Sequence, residues 1–329
     1  MPQLSPTIED LEDACRRIAG DVILTPLIRS DALDEVTGAR VFVKAECLQV
    51  TGAFKVRGAY NRLRQFTSQE ARGGVVSWSS GNHGQAIAAA ARRIGMPALV
   101  LMPHDSVATK VKLTRSYGAE IEFFERGVVD ATVRGVEIAA ARDATIVPPA
   151  NDRDVIAGQG TATLEILGQL AALGAGAPDV QLVPCGSGGL TAGAAIALSA
   201  RSPRTALFAV EPEGFDDTGR SLAAGMRLAI EPGRSTLCDA LTARTPAPMT
   251  FEVNRILGVK ALTVSDEEVR RAMAFAFRYL KLVMEPGGAA ALAALLANKI
   301  DVAGKIVTLI CSGGNVEASV FADAITREV

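Results

Sequence analysis

The chain has 329 residues, more than a single hydrophobic core usually serves, so two domains are predicted. Its formal net charge is −2, which gives no basic footprint for nucleic acid. No apolar stretch approaches the roughly 20 residues of a membrane span. Five scattered cysteines and an acidic first segment, residues 1–13, without signal-peptide features predict a cytoplasmic protein that binds neither nucleic acid nor membrane.

The N-terminal part predicts helices around one short strand. Thr7 suits the N-cap of an amphipathic helix over residues 8–19, and a polar helix follows over residues 30–36. Residues 41–46 predict a strand and residues 59–66 another helix. Between these last two elements lies the segment Thr51-Gly52-Ala53-Phe54-Lys55-Val56-Arg57-Gly58-Ala59.

From residue 75 onward, a short apolar strand, a turn of small residues and a helix follow one another repeatedly. Strands are predicted over residues 75–78, 98–102, 120–124 and 144–147, and helices over residues 85–94, 109–117 and 130–142. This alternation is typical of βαβ units, in which helices cover a parallel sheet.

The C-terminal half continues the alternation less regularly. Helices are predicted over residues 155–170, 194–200, 266–282 and 289–296, and strands over residues 181–184, 206–210 and 305–310. A capping box at Ser265–Glu268 opens the third of these helices. Residues 221–248 contain several Pro and Gly and have no clear assignment.

Lys55 is the first candidate for chemistry. It lies between Phe54 and Val56, two side chains that prefer burial. Desolvation favours the neutral form of a lysine, and a neutral amine can attack a carbonyl to form a Schiff base. A surface lysine with a buried stem is the commoner situation, so this hypothesis needs support from other parts of the chain.

Turns of small residues follow three predicted strands, at residues 79–84, 185–189 and 311–314. Ligands of open α/β sheets bind beyond the carboxyl ends of the strands, where glycines let backbone N–H groups approach an anion. The turn Gly186-Ser187-Gly188-Gly189 is the best candidate for a phosphate cradle, although an ordinary tight turn has the same composition.

The glycine turn differs from the two common nucleotide-binding motifs. No Lys-Ser/Thr follows the glycines, so the turn is not a P-loop. Gly186, Gly188 and Gly193 fit the dinucleotide fingerprint loosely because the third glycine comes late, and Glu211 lies at about the expected distance for its acidic residue. A Rossmann oxidoreductase therefore remains an alternative.

Two further groups of side chains suit charged ligands. Residues 79–83 supply hydroxyls, an amide and backbone donors at a helix start, which suit a carboxylate as well as ordinary N-capping. Glu211, Asp217 and the carbonyl of Phe215 could bind a hard cation, although solvated carboxylates in a turn are commoner. His83 and His104 have neither metal nor triad spacing.

Taken in order, these segments, with Glu285-Pro286-Gly287-Gly288 and Cys311-Ser312-Gly313-Gly314-Asn315, resemble the serine/threonine dehydratases and serine racemases. That family consists of pyridoxal-phosphate (PLP) enzymes of fold type II, and the resemblance runs from about residue 8 to residue 315. It implies a two-lobed α/β protein of three-layer αβα domains with mainly parallel sheets, similar to the tryptophan synthase β chain. Residues 1–72 and 149–329 would form a large PLP-binding domain, and residues 73–148 a small substrate-side domain.

The resemblance also implies roles for individual residues. Lys55 would form the Schiff base, and Ser80 would be the catalytic residue on the opposite face. Ser79, Ser80, Gly81 and His83 would bind the substrate carboxylate, while Glu211, Phe215 and Asp217 would match the family's divalent-cation site, for example for Mg²⁺. The residues expected to contact PLP are Phe54, Lys55, Asn82, Gly186, Ser187, Gly188, Gly189, Leu190, Glu285 and Ser312.

The implied activity is the conversion of L-threonine or L-serine to a 2-oxo acid and ammonia by a homodimer. Serine racemisation, and elimination from hydroxyaspartate or phenylserine, are alternatives on the same fold, and a non-catalytic binding protein is an alternative of another class. The chain departs from the family pattern at Ala53, at Ser187 and at Asp239-Ala240. The last departure weakens any transfer of substrate identity.

Overall fold

The protein is described by a computed structural model that covers residues 5–326. Residues 1–4 and 327–329, which belong to the predicted acidic first segment and the predicted large domain, lie outside the described residues. The strands are β1 (Leu27–Ile28), β2 (Arg40–Lys44), β3 (Val75–Trp78), β4 (Ala98–Pro103), β5 (Glu120–Phe124), β6 (Thr145–Ile146), β7 (Val180–Pro184), β8 (Ala206–Pro212), β9 (Lys260–Val264) and β10 (Ile306–Ile310).

The helices alternate with these strands along the chain. They are α1 (Ile8–Ile18), α2 (Asp31–Thr37), α3 (Lys55–Leu63), α4 (Ser68–Gly73), α5 (Asn82–Ile94), α6 (Ala108–Ser116), α7 (Ala131–Arg142), α8 (Arg153–Ala172), α9 (Gly189–Arg201), α10 (Asp217–Ala224), α11 (Pro248–Ile256), α12 (Asp266–Phe275), α13 (Pro286–Leu296) and α14 (Ala318–Ile325).

The strands form two sheets. The larger sheet has the order β1-β2-β10-β7-β8-β9, and only its edge strand β1 runs antiparallel to its neighbour. The smaller sheet has the order β5-β4-β3-β6 and is parallel throughout. The predicted α/β fold with mainly parallel sheets is confirmed.

Side chains of the larger sheet alternate between two hydrophobic cores, one on each face. On β2, Val41 and Val43 pack into one core, and Phe42 packs into the other. On β10, Leu309 and Ile310 divide in the same way. Because successive strand residues point to opposite faces, a strand covered by helices on both sides needs apolar residues at every position.

The smaller sheet is built from strands between residues 75 and 146, inside the segment predicted to be a separate domain. The predicted domain boundaries stay a prediction. No helix within residues 5–326 is long and apolar enough to cross a membrane.

Four helices begin three to five residues earlier than the sequence pattern predicts. Their first residues are Lys55, Asn82, Gly189 and Pro286, whereas the predicted starts are residues 59, 85, 194 and 289. The first turn of a helix has backbone N–H groups without helical partners, so it accepts Pro and Gly that would break a helix interior. The Pro and Gly residues in these first turns therefore resemble a loop in the sequence.

The region after β8 contains further differences. The helix predicted over residues 266–282 ends at Phe275 and continues as a π-helical turn to Leu280, and Lys281 then adopts a left-handed φ of 58°. Strand β9 was not predicted. The unassigned residues 221–248 include the end of α10 and the start of α11, joined by a largely irregular segment.

Candidate active site

A cavity of about 310 Å³ lies between the two sheets. Loops that follow the carboxyl ends of β3, β7 and β10 line it, together with the first turn of α3. The structure thus brings together all predicted cofactor and substrate residues. These are Phe54, Lys55, Ser79, Ser80, Gly81, Asn82, His83, Gly186, Ser187, Gly188, Gly189, Leu190, Glu285 and Ser312.

Lys55 is the first residue of α3 and is half-buried at the cavity wall. Its Nζ donates a hydrogen bond to the carbonyl of Pro149 at 3.0 Å and lies 5.2 Å from the centre of the Phe54 ring. Burial lowers the pKa of Lys55 to about 8. About a tenth of the amine is therefore uncharged at pH 7, far more than for an ordinary lysine, and the uncharged form is the one that a nucleophilic or basic lysine requires.

Lys110 is a second buried lysine in the cavity wall, and its environment is the opposite. Its Nζ lies 2.7 Å from Asp239 Oδ2 and 2.9 Å from Glu285 Oε2. Burial alone would lower the pKa of Lys110, but the two carboxylates raise it above the ordinary value. Of the two lysines, Lys55 is therefore the one that can act as a neutral amine.

The glycine turn has the local geometry of an anion cradle. Gly188 has a φ of 86°, and a Cβ there would lie 2.9 Å from Thr250 Oγ1. Thr250 Oγ1 donates a hydrogen bond to the carbonyl of Ser187 at 2.7 Å, which supports the turn from α11. Gly189 begins the 13-residue helix α9, whose free N–H groups point toward the cavity end and suit a phosphate.

Asn82 and Glu285 are hydrogen-bonded to each other in the cavity wall. Asn82 Nδ2 donates a short hydrogen bond to Glu285 Oε1, and Asn315 Nδ2 donates to Asn82 Oδ1 at 2.9 Å. Asn315 also donates to the carbonyl of Thr51 at 2.8 Å. The amide of Asn82 is thus held from both ends, and the fixed amide can present a defined polar surface to a ligand.

The loop over residues 79–83 leads into α5. Ser79 Oγ accepts a hydrogen bond from the N–H of Gly81 at 3.0 Å. His83 is buried, and its Nε2 donates to the carbonyl of Val147 at 3.3 Å. Burial, with the charge of Lys55, lowers the pKa of His83 to about 3. His83 is therefore a neutral imidazole at physiological pH and adds no positive charge.

Ser312 joins the end of β10 to the helix that carries Lys55. Its carbonyl accepts a hydrogen bond from the N–H of Phe54 at 3.0 Å, and the residue lines the cavity. The loop after β10 and the start of α3 are therefore joined by a hydrogen bond in the cavity wall, against which a planar ring could rest.

The three residues of the predicted cation site lie outside this cavity. Glu211 is buried and accepts hydrogen bonds from the N–H groups of Thr218 and Gly219, both at 2.8 Å, and burial raises its pKa to about 7. Neither carboxylate oxygen of Asp217 has a hydrogen-bond partner in the structure, and burial, with the charge of Glu211, raises its pKa to about 8.

Phe215, the third residue of this predicted site, is buried near the start of α10. Within the described part of the chain, no group of three or more His, Cys, Asp or Glu side chains could hold a metal ion. Two carboxylates and a backbone carbonyl would be an incomplete set of ligands, which solvent would have to complete.

Several cavity residues were not found from the sequence. Lys110 lies in the first turn of α6, and the sequence does not distinguish it from Lys112, which is exposed. Arg126 follows β5 and reaches the cavity, and Thr250 supports the glycine turn from α11. Asn315, which binds the Asn82 side chain, had a signal, because it completes the Cys-Ser-Gly-Gly-Asn motif.

A family model described as pyridoxal-phosphate dependent enzyme matches residues 18–313. The chain therefore belongs to this family of PLP-dependent enzymes, and the predicted resemblance and cofactor are confirmed.

Individual relatives are similar over almost the whole chain. An L-threo-3-hydroxyaspartate ammonia-lyase of Pseudomonas sp. is 40% identical, over 98% of this chain and 99% of the relative. An L-threonine ammonia-lyase of Thermotoga maritima is 37% identical, over 98% of this chain and 78% of the relative. The structure of maize serine racemase matches with a TM-score of 0.91 and 33% identity, over 98% of this chain and 97% of that one.

Proposed function

We propose that this protein is a PLP-dependent ammonia-lyase that converts a 3-hydroxy amino acid to a 2-oxo acid and ammonia. The observation that carries the proposal is the position of Lys55. Its amine, with a pKa of about 8, faces the same cavity as the glycine turn at the start of α9. Relatives with three related activities have a similar sequence over almost the whole of this chain.

The residues present fit the cofactor. Lys55 would be its covalent attachment point, and residues 186–190 would hold its phosphate at the start of α9. Asn82, Glu285 and Ser312 would contact its ring, with Phe54 beside Lys55. When bound, PLP supplies the electron sink that stabilises negative charge at the substrate Cα.

The protein's own residues would then bind the substrate and move protons. The α-carboxylate would be bound by the backbone N–H groups at the start of α5 and by the hydroxyls of Ser79 and Ser80. His83 is neutral, so these uncharged donors would bind the carboxylate without help from a histidine cation. Lys55 Nζ, released by the substrate amine, would remove the α-proton as general base. Departure of the 3-hydroxyl as water and hydrolysis of the remaining imine would yield the 2-oxo acid and ammonia.

Arg126 favours an acidic substrate within this class. It reaches the cavity wall and is half-exposed, and its Nε donates to exposed Asp105 at 2.8 Å. Lys110 is already bound to two carboxylates. Arg126 can therefore offer its remaining guanidinium donors to a second substrate carboxylate. We propose L-threo-3-hydroxyaspartate as the preferred substrate, with L-threonine and L-serine as slower ones.

The test is a 2-oxo acid and ammonia assay with these three amino acids and phenylserine. Wild type is expected to act on at least one 3-hydroxy amino acid, and Lys55→Ala on none. Arg126→Met should raise KM for hydroxyaspartate at least about tenfold, as loss of a charged contact predicts, while KM for threonine, the internal control, stays within about twofold. Ammonia from none of the four would contradict the proposal.

Racemisation remains an outcome of the same assay. Ser80 lies in the cavity wall together with Lys55 and could return a proton to the substrate Cα. Chiral analysis of serine after incubation would detect this activity. If wild type formed D-serine without 2-oxo acid, and Ser80→Ala abolished this, the protein would be a racemase instead of an ammonia-lyase.

We further propose that Glu211, Asp217 and the Phe215 carbonyl bind a divalent cation such as Mg²⁺. The unpartnered carboxylate of Asp217, buried close enough to Glu211 for the charge of Glu211 to raise its pKa, supports this proposal. We also propose that the protein is a cytoplasmic homodimer and that each subunit has the two predicted domains. The five cysteines are all free, as in a reducing compartment. Light scattering would measure the oligomeric state.

A further inference from the structure

Lys110 connects parts of the chain that belong to different sheets. It lies on α6, which follows β4 of the smaller sheet, while Asp239 and Glu285 belong to segments that follow strands of the larger sheet. The lysine is 1% exposed, and all three residues line the active-site cavity. A lysine buried this completely is rare unless it is paired, and here it is paired with both carboxylates.

Lys110 reaches its partners by passing over the substrate loop. A Cβ at Gly81 would lie 2.6 Å from Lys110 Cδ, which is closer than real contacts allow. Gly81 has an extended φ of −175°, so the glycine is needed for space and not for a left-handed backbone. The stem of Lys110 therefore packs directly on the loop that leads to Asn82.

The contacts continue from Lys110 to Asn82. Glu285 receives Lys110 at one carboxylate oxygen and the Asn82 amide at the other. Oxygen Oε1 can accept from Asn82 Nδ2 while Glu285 stays ionised, and a nearby positive charge stabilises that ionised form. Without Lys110, Glu285 would have no ion-pair partner among the described residues and would still lie near Asp239, so protonation would become the less costly state.

We propose that Lys110 is a positioning residue of the proposed reaction: it ties the residue 79–83 loop to Glu285 and Asp239 and thereby fixes the Asn82 amide at the cofactor site. The proposal rests on the proposed function only for its kinetic consequences. A lysine held between two carboxylates is a poor proton acceptor, so its role is to hold other groups in place.

The main test compares Lys110→Met with Lys110→Arg and with Lys112→Met, an exposed lysine on the same helix. Lys110→Met should lower kcat about 100-fold or more, because a small displacement of positioned groups has effects of that size. It should also shift the visible absorbance of the bound cofactor. Lys110→Arg, which keeps the charge, should retain the wild-type absorbance and more of the activity, and Lys112→Met should behave as wild type.

A double variant separates positioning from a general loss of stability. If Lys110 acts through Glu285, then Lys110→Met combined with Glu285→Gln should match Glu285→Gln alone in kcat, within about twofold. The double variant also removes the charge of Glu285, the more deeply buried of the two carboxylates that Lys110→Met would leave unpaired, so it keeps the test valid if Lys110→Met does not fold.

Three results would overturn the proposal. The first is a folded Lys110→Met variant with wild-type absorbance and a kcat within twofold of wild type. The second is a double variant in which the losses of kcat from the two single variants multiply. The third is a Lys112→Met variant with the same absorbance shift as Lys110→Met. If wild type converted no amino acid, the proposed function would fail, and the absorbance of the variants would still decide the role of Lys110.

Discussion

Two buried ionic clusters differ in their balance of charge. In the first, Arg57 of α3 and Lys44 of β2 pair with Glu46 and Glu165 over distances of 2.6 to 2.7 Å. At the cavity, Lys110 alone serves both Asp239 and Glu285. The first cluster has two cations for two carboxylates, and the second has one cation for two carboxylates.

The two buried glutamates respond in opposite ways. Burial alone would raise the pKa of Glu46, but Arg57 holds it below the ordinary value. Burial raises the pKa of Glu285, and Lys110 offsets only part of the effect. A balanced cluster away from the cavity serves to fix the fold, whereas a carboxylate left short of cations in a cavity is suited to respond to a ligand.

The pair Glu211 and Asp217 extends the series to two carboxylates and no cation, because neither forms an ion pair within residues 5–326. Burial raises the pKa of both. The comparison therefore predicts different consequences of removing or supplying positive charge at each place.

The largest effect is expected in the balanced cluster. Arg57→Met leaves Glu46 buried without its main partner, so the free energy of unfolding should fall by about 3–5 kcal/mol. Urea denaturation measures the loss. In Arg64→Met, which removes a partly exposed ion pair with Asp21, the loss should be below about 1 kcal/mol. Equal losses in both variants would mean that the balanced cluster does not stabilise the fold.

The glycine turn should bind the phosphate through backbone N–H groups and not through a cation. Gly188→Ala places a Cβ against Thr250 and strains the left-handed backbone, so affinity for PLP should fall about 10- to 100-fold, a loss of about 1.4–2.7 kcal/mol. Gly225→Ala is the matched control, because Gly225 has a φ of 69° and open space around it. Cofactor affinity that fell equally in both would show an effect of backbone strain alone.

The pH dependence of cofactor attachment should separate Lys55 from Lys110. Protonated Lys55 does not react, and its pKa is lowered to about 8 by burial. The rate at which cofactor-free protein binds PLP covalently should therefore rise about tenfold per pH unit below pH 8 and level off above it. A rate that kept rising to about pH 10 would indicate an ordinary lysine.

A further prediction concerns the pair without a cation. Mg²⁺ at about 100 times its Kd should stabilise the protein by about 2.7 kcal/mol, which raises Tm by several degrees. Asp217→Asn should abolish the shift, whereas Glu213→Gln, at an exposed site nearby, should retain it. An equal rise in Tm for all three proteins would place the ion elsewhere.

The sequence predicts the fold class and the site residues that come in ordered motifs. Lys55, the glycine turn and Ser312 are recognisable because each lies in a segment of small or apolar residues after a strand. Lys110 could not be predicted, because its burial depends on Gly81, on a different loop, and on partners 129 and 175 residues away in the chain.

The predicted starts of four helices lie too late in the chain, and ligand binding explains this for α9. Gly188 and Gly189 suggest a turn, and they also form the start of α9, because a phosphate cradle is both. Glycines that suit ligand binding thus weaken the helical signal in the segments that form the site.

The proposed chemistry depends most directly on which amine carries the cofactor. Reduction of the PLP-loaded protein with borohydride, followed by peptide mapping, identifies that lysine. We predict a pyridoxyl label on Lys55 and none on Lys110, because Lys55 has no carboxylate partner within residues 5–326 and has a lowered pKa, whereas Lys110 is paired with two carboxylates and has a raised pKa. A label on Lys110 or another lysine, or no label in protein that binds PLP, would contradict it.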